Sequence, residues 1–538
     1  MSATPLQTLS EAPSEESARL VSVSSERDAI KIERDTYKRL YLEALTMCRK
    51  LELGILGRGR ERDLGNPNQI AMAMIGMMIG EETVAPPPEV EKVREHERAK
   101  PTGRQPLPEH LPRVNVTVLP PEVEQEGLDG FEKIGEDVTE TVERRPASLV
   151  VVRVTKPKFV EKNRDLKFET SLLQAESPEL PITRGLAGPA LLADTIVRRW
   201  ADHLPLHRLE RIYGRDGLTL PRSTVCDWHL QLTGLVRPLI QSMWKDAFKA
   251  PNLCTDATGV LVQAKEKCKT AHFFVVASPE RHVLFGYTRK HNAAAVDALL
   301  AGYQGTLVAD AHAVYDHLYQ DGTIREAGCW AHVRRYFFKS LDSDPERARH
   351  AIDQIGKLFA VERKVAQAPP DLKQLTRQRE SKPVLDAFEA WRDAESARAL
   401  DQTPIARASG YVRNQRIALR RFLDDGRLPI YKNWSERELR REAVGRKNWL
   451  FVGSDEGGHA NATFVSLIAS CQLHGIEPSG YLRDLFCLLP SWKVADVLEL
   501  SPLYWKITTA RDDVRKSLES NIFRRASLAE PEPGSQRS

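Results

Sequence analysis

Cysteine pairs, long apolar runs and an excess of one charge are all missing from this 538-residue sequence, and each absence removes a class of protein. Seven cysteines (Cys48, Cys226, Cys254, Cys268, Cys329, Cys471 and Cys487) are scattered with no C-x-x-C pair, which fits reduced thiols in a cytosolic protein better than a disulfide framework. Cys329 and His332 have C-x-x-H spacing, but two ligands do not make a zinc site and no second pair is near. The first twenty residues lack the basic start and apolar core of a secretory signal, so export is not expected. The most apolar early run, Ile70 to Gly80, is far shorter than the roughly 20 residues needed to span a bilayer. No membrane partner is therefore expected, and the localisation expected is cytoplasmic. The formal net charge is only +4, from 78 basic and 74 acidic residues, so local charge has to identify the partner.

What is present falls into several modules, as a prior of about 150 residues per domain requires of a chain this long. Val23, Ile30, Tyr37, Ala44 and Leu51 recur every seven positions and predict a short coiled coil or a lone amphipathic helix. Residues 57 to 145 are rich in Pro, Glu, Lys and Arg and read mostly as linker, with one small ordered patch near the end. Leu206 to Leu232 reads as helix, short turn, helix, with the second helix starting near Pro221-Arg-Ser-Thr224. This is a helix-turn-helix candidate in which Arg222, Ser223, Thr224 and His229 would face a groove of DNA, although any two-helix hairpin gives the same pattern.

The segment from Leu253 to Leu341 predicts strand, strand, strand, helix, strand, short helix, strand, helix, the order of a ribonuclease-H-like domain. Residues 345 to 425 are helical and charged and read as an all-α insertion. Asp256 lies within the first of these strands, and Asp310 ends the fourth, at the edge where sites gather in open α/β sheets. Carboxylates on neighbouring strands about 4.8 Å apart can share a hard cation. Glu436, on a helix starting at Asn433, can supply a third ligand. Two Mg²⁺ ions, for which Mn²⁺ can substitute, would then support in-line displacement at phosphorus. Each acid also has a plain structural reading: a solvated strand position, a helix cap and a surface glutamate.

Around Glu436 the charge turns basic, with 11 Lys or Arg against 5 Asp or Glu in residues 410 to 450. Arg440, Arg446, Lys447 and Trp449 there suit phosphate contact and base stacking, and His332, Arg334 and Arg335 sit at the start of a helix, where exposed N–H groups favour anions.

These residues stand in ordered motifs: Arg184-Gly-Leu-Ala-Gly-Pro189, Asp202-His-Leu-Pro-Leu206, Ala309-Asp310, Gly328-Cys-Trp-Ala-His-Val-Arg-Arg335, Glu436-Arg437, Gly445-Arg-Lys-Asn-Trp-Leu-Phe451 and Gly453-Ser454. From about Leu107 to Phe486 the chain resembles the TnpC-type transposases of the bacterial insertion-sequence-sixty-six family. That resemblance implies a multidomain α/β protein. A DDE catalytic core with an all-α insertion would follow a helix-turn-helix and an N-terminal coiled coil, with Asp256, Asp310 and Glu436 at the acidic positions. It implies DNA partners, namely the terminal inverted repeats and the target, together with a homo-oligomer and accessory proteins encoded by the same element. The expected partition is 1–60 coiled coil, 61–145 linker, 146–185 a degenerate zinc-module-like segment, 186–245 helix-turn-helix, 246–344 and 426–490 the two parts of the core, 345–425 insertion and 491–538 tail. Two departures stand out. Pro121 to Gly135 and Lys158 to Leu173 hold no cysteine where many members carry a zinc module, so zinc is not expected. Tyr431-Lys432-Asn433 replaces the usual Asp-Asn-Asn, which removes an acid and adds a cation beside the acidic site.

Overall fold

The computed structural model describes residues 107–145, 148–161, 172–265, 267–396, 398 and 401–529, together with Lys31 and Arg34. The expected coiled coil and the apolar run at residues 70–80 lie outside this set, apart from those two side chains. Among the described residues no helix is long and apolar enough to cross a membrane. The chain is α/β, with two mixed sheets among many helices, and it divides into two units.

The larger unit takes in residues 102–332, 358–383 and 414–538. Its first sheet contains β1 (Arg113–Thr117), β2 (Phe131–Arg145), β3 (Ser148–Glu161) and β4 (Leu173–Gln174), in the order β1-β3-β2 with β4 on β3. This corrects the expectation of a linker. The second half of the supposed linker is strand, and it pairs with the segment expected to be a zinc-like module. The physical reason lies in Leu149-Val-Val-Val152, whose side chains are at most 3 % exposed, while Glu132, Lys133 and Glu136 of the partner strand stay in water. Averaged over a window, the charges conceal the strand pattern.

Glu143 of β2 reaches α1 (Pro189–Trp200), where its Oε1 accepts the Leu191 N–H at 2.8 Å. Gly188 leaves room for that carboxylate, because a Cβ there would lie 2.2 Å from Glu143 Oε2. Burial pushes the Glu143 carboxyl up to about 8. The motif Arg184-Gly-Leu-Ala-Gly-Pro189 thus builds a helix start. Next come α2 (Leu206–Arg215) and α3 (Arg222–Ala247), joined by a short turn.

The second sheet carries β5 (Asn252–Val262), β6 (Lys269–Ala277), β7 (Val283–Thr288), β8 (Gly305–Val308), β9 (Ile324–Ala327) and β10 (Phe451–Val452). The order is β7-β6-β5-β8-β9, with β10 added along the end of β5. β5, β6 and β7 are antiparallel, and β5, β8 and β9 are parallel. A parallel crossover needs a connection of a dozen or more residues, and α4 (Ala293–Leu300) supplies it between β7 and β8. Gly305, at φ 153°, starts β8; a Cβ there would meet Tyr303 Oη at 2.5 Å and the Pro251 carbonyl at 2.8 Å. Phe273 to Ala277 are fully buried, as expected of a strand covered on both faces.

After β9 comes α5 (Trp330–Lys339). Trp330 is buried and donates its indole N–H to the Leu419 carbonyl at 2.9 Å. Residues 333–357 and 384–413 belong to the second unit, which includes stretches of α6 (Pro345–Lys364), α7 (Lys382–Ser396) and α8 (Pro404–Asn414). Its interior holds Phe337 edge-on to Phe388, while the more exposed Tyr336 stacks on Tyr411 at 4.7 Å and Arg347 bridges Asp344 and Glu395.

In the larger unit the chain continues through α9 (Asn433–Trp449), α10 (Asp455–Leu473) and α11 (Pro478–Leu488). Ser454 caps α10, and Ser466 and Ser470 of that helix accept the Phe285 and Val283 N–H groups, fastening it to edge strand β7. Residues 491–529, expected as a tail, form further short helices, with Val514, Leu518 and Phe523 in the core.

Candidate active site

The sheet brings two aspartates side by side. Cys254 of β5 pairs with Val308 of β8 in a parallel register. Asp256 stands two residues further along β5, and Asp310 two residues past the end of β8. Asp256 is opposite Val275 of β6, and its Oδ1 accepts the Ala257 N–H at 2.9 Å. The Asp256 side chain is 16 % exposed and that of Asp310 38 %.

Between them lies the ammonium of Lys432. Its Nζ is 3.2 Å from Asp256 Oδ1 and 3.8 Å from Asp310 Oδ2, with the lysine side chain 1 % exposed. Local structure fixes its backbone. The Lys432 N–H donates to Cys329 Sγ at 3.3 Å, and its carbonyl accepts Ser435 Oγ–H at 2.9 Å and the Glu436 N–H at 3.2 Å. Lys432 is thus the cap of α9, and Glu436 stands one turn into that helix. The Glu436 carboxylate meets His332, whose Nε2 is 3.6 Å from Oε1.

Among the described residues no three His, Cys, Asp or Glu side chains close around one point. Asp256 and Asp310 close around Lys432 instead. Two carboxylate oxygens on adjacent strands, aimed at a single cationic centre, are the donor chemistry a hard divalent ion takes. The two aspartates therefore fit a metal in type, and a lysine ammonium lies between them.

A signal absent from the reading of the motifs is a row of imidazoles beside the aspartates. His272 and His291 have ring centroids 5.3 Å apart, and His291 and His312 4.7 Å. Burial lowers the pKa of His291; His312 and His272 lower it further, and Asp310 and Asp256 oppose them. His312 follows Asp310 by two residues, which was the available clue.

Other expected site residues divide by exposure. Arg222 and Ser223 at the start of α3 are exposed and Thr224 is half-buried. His229 does not face a groove, and that expectation is corrected. It is 4 % exposed, lies 3.0 Å from Thr195 Oγ1 and packs against Trp200, and burial lowers its pKa to about 3. On α9, Arg440 and Lys447 are exposed. Arg446 donates to the Gly259 carbonyl, and Arg199 sits 5.4 Å over the Trp449 ring, so both residues are used inside the fold. Arg334 and Arg335 are exposed on α5.

The family model described as "Transposase IS66 family" matches residues 184–460, "IS66 C-terminal element" matches 466–503, and "Transposase C of IS166 homeodomain" matches 51–116. The chain belongs to the IS66 family of transposases. Among its relatives in Sinorhizobium fredii (strain NBRC 101917 / NGR234), uncharacterized protein y4hP is 30% identical, the match covering 78% of this chain and 79% of the relative. Uncharacterized protein y4qI is also 30% identical, over 76% and 78%, and y4jD is 28% identical, over 74% and 81%.

Proposed function

We propose that this chain is a DDE transposase that cleaves DNA at the ends of its insertion sequence and joins the 3′-hydroxyls to target DNA. The carrying observation is the pair Asp256 and Asp310, each two residues beyond the paired Cys254 and Val308 of adjacent parallel strands and sharing one cation. The strand order β7-β6-β5-β8-β9 supports reading the second sheet as a ribonuclease-H-like core, with residues 345–425 as its insertion. Asp256, Asp310 and Glu436 would hold magnesium, or manganese in its place. The bound ions would polarise the scissile phosphate and activate water or a 3′-hydroxyl for in-line attack.

The chain's own groups do the rest. Glu436 brings its carboxylate from α9, oriented by His332. Arg440 and Lys447, exposed on the same helix, supply cations for the phosphate backbone, as do Arg334 and Arg335 on α5. Arg222, Ser223 and Thr224 would meet the terminal repeats, while residues 1–60 would join copies of the chain. Accessory proteins of the same element complete the proposed partners.

One observation favours a second reading. With Lys432 neutralising the two aspartates, the chain would be a DNA-binding descendant without catalysis. Glu436→Gln and Glu438→Gln, assayed on labelled element ends in magnesium, separate the readings. The transposase reading expects cleavage to collapse by at least a hundredfold in Glu436→Gln, with end binding intact, and to stay near wild type in Glu438→Gln. Equal cleavage by both variants would remove Glu436 from the site, and no cleavage by any form in magnesium or manganese would favour the second reading.

A further inference from the structure

We infer that Lys432 is a resident cation standing where the shared metal would bind, so that a divalent ion enters this site only by displacing the lysine ammonium. The inference rests on the reading of Asp256 and Asp310 as metal ligands, and adds what this chain has done to them.

Two carboxylates held side by side at the ends of neighbouring strands repel each other unless a cation lies between them. Here that cation comes from the chain itself, since the Lys432 ammonium is 3.2 Å from one carboxylate and 3.8 Å from the other. It is a poorly satisfied tenant. The ammonium offers three donors, yet Lys432 Nζ is buried with no hydrogen bond of good geometry. Its attraction to the aspartates is therefore mainly that of a point charge, on a flexible four-carbon stem that can carry it out. Backbone anchoring does not oppose this. Cys329, Ser435 and Glu436 hold the Lys432 main chain, so displacement of the ammonium asks only its buried side chain to change course.

The same placement gives the consequence. The ammonium and a divalent ion compete for the same oxygens, so whatever the ion costs the lysine, the lysine costs the ion. Lys432→Asn, which keeps the backbone contacts and removes the charge, should bind metal more tightly. Lys432→Met keeps an unbranched aliphatic stem in the buried path and separates loss of charge from loss of packing. Without metal, both variants leave two carboxylates facing each other with no cation, and both should unfold at lower temperature than wild type.

The test uses the full-length chain and Mn²⁺ alone, with bound manganese read by electron paramagnetic resonance and by the shift in melting temperature. Lys432→Asn and Lys432→Met are expected to bind Mn²⁺ about tenfold more tightly than wild type, within the usual span of coupling between competing sites. Mn²⁺ should raise their melting temperatures more than that of wild type, and both effects should vanish when Asp256→Asn is added. Equal Mn²⁺ affinity in wild type and both variants, lost on Asp256→Asn, would overturn the inference and leave the ligand assignment standing. Manganese binding that ignores Asp256 in every form would overturn both.

Discussion

Three glutamates on one helix have three fates, and the surroundings decide each. Glu436 is 26 % exposed beside His332, Glu438 is ion-paired to Arg441 at 2.9 Å, and Glu442 is 2 % exposed against Asn461. Burial pushes the Glu442 carboxyl up to about 7, against the opposing pull of Asn461 and Arg199. A carboxyl raised in the folded state holds its proton longer there than in the unfolded chain. Its contribution to stability is complete below the ordinary glutamate value of 4.5 and is lost as pH rises from 4.5 to about 7. Glu442→Gln should therefore gain on wild type across that window, by on the order of a few kcal/mol at pH 7. Urea denaturation of both proteins at several pH values checks this; a difference that stays constant with pH would contradict it. The helical wheel was readable here, because Glu438 and Glu442 point away from Glu436 at about 100° per residue. His229 could have been read the same way: Val225, Trp228, His229, Leu232 and Val236 are all buried, a stripe at helical spacing along α3. Residue type suggested a DNA contact, whereas position placed it in the core. Lys432 was visible as a departure from the family motif, but its reach to both aspartates depends on how the cap of α9 meets the sheet.

Individual elements differ in how openly the sequence declares them. β6 and β7 are apolar runs between polar turns, and α4 follows a capping Asn292 whose side chain accepts the Ala295 N–H at 3.1 Å. Such signals are local. β2 and β3 are not local in this sense, since a strand 15 residues long with a charged outer face is recognised only with its partner in place. The C-terminal helices were hidden for a related reason: each is short, and packing rather than propensity stabilises it. At this scale the α2–α3 hairpin makes a direct prediction. Arg222→Ala, at the exposed start of α3, should weaken binding to the element ends by roughly fivefold and reduce the salt slope of binding by about one. Binding measured by fluorescence anisotropy at several salt concentrations reads both. An unchanged slope and affinity would place recognition on another element.

In the molecule as a whole, one sheet sets the acids and α9 delivers both the lysine that neutralises them and the glutamate that would complete a metal site. The order of elements around that sheet was legible from Leu253 to Leu341, because buried strands, turns and an alanine-rich helix alternate there without interruption. The meeting of Asp256 and Asp310 with Lys432 was not, since more than a hundred residues, many of them in the other unit, separate Asp310 from the start of α9. The measurement that bears most directly on the proposed activity uses the full-length chain, labelled DNA carrying the element's terminal repeats, a target plasmid and a divalent cation. A transposase of this kind should give a covalently joined end-to-target product that requires Mg²⁺ or Mn²⁺ and disappears in Asp310→Asn. End binding at ordinary affinity with no cleaved or joined DNA at any concentration of either ion would contradict it.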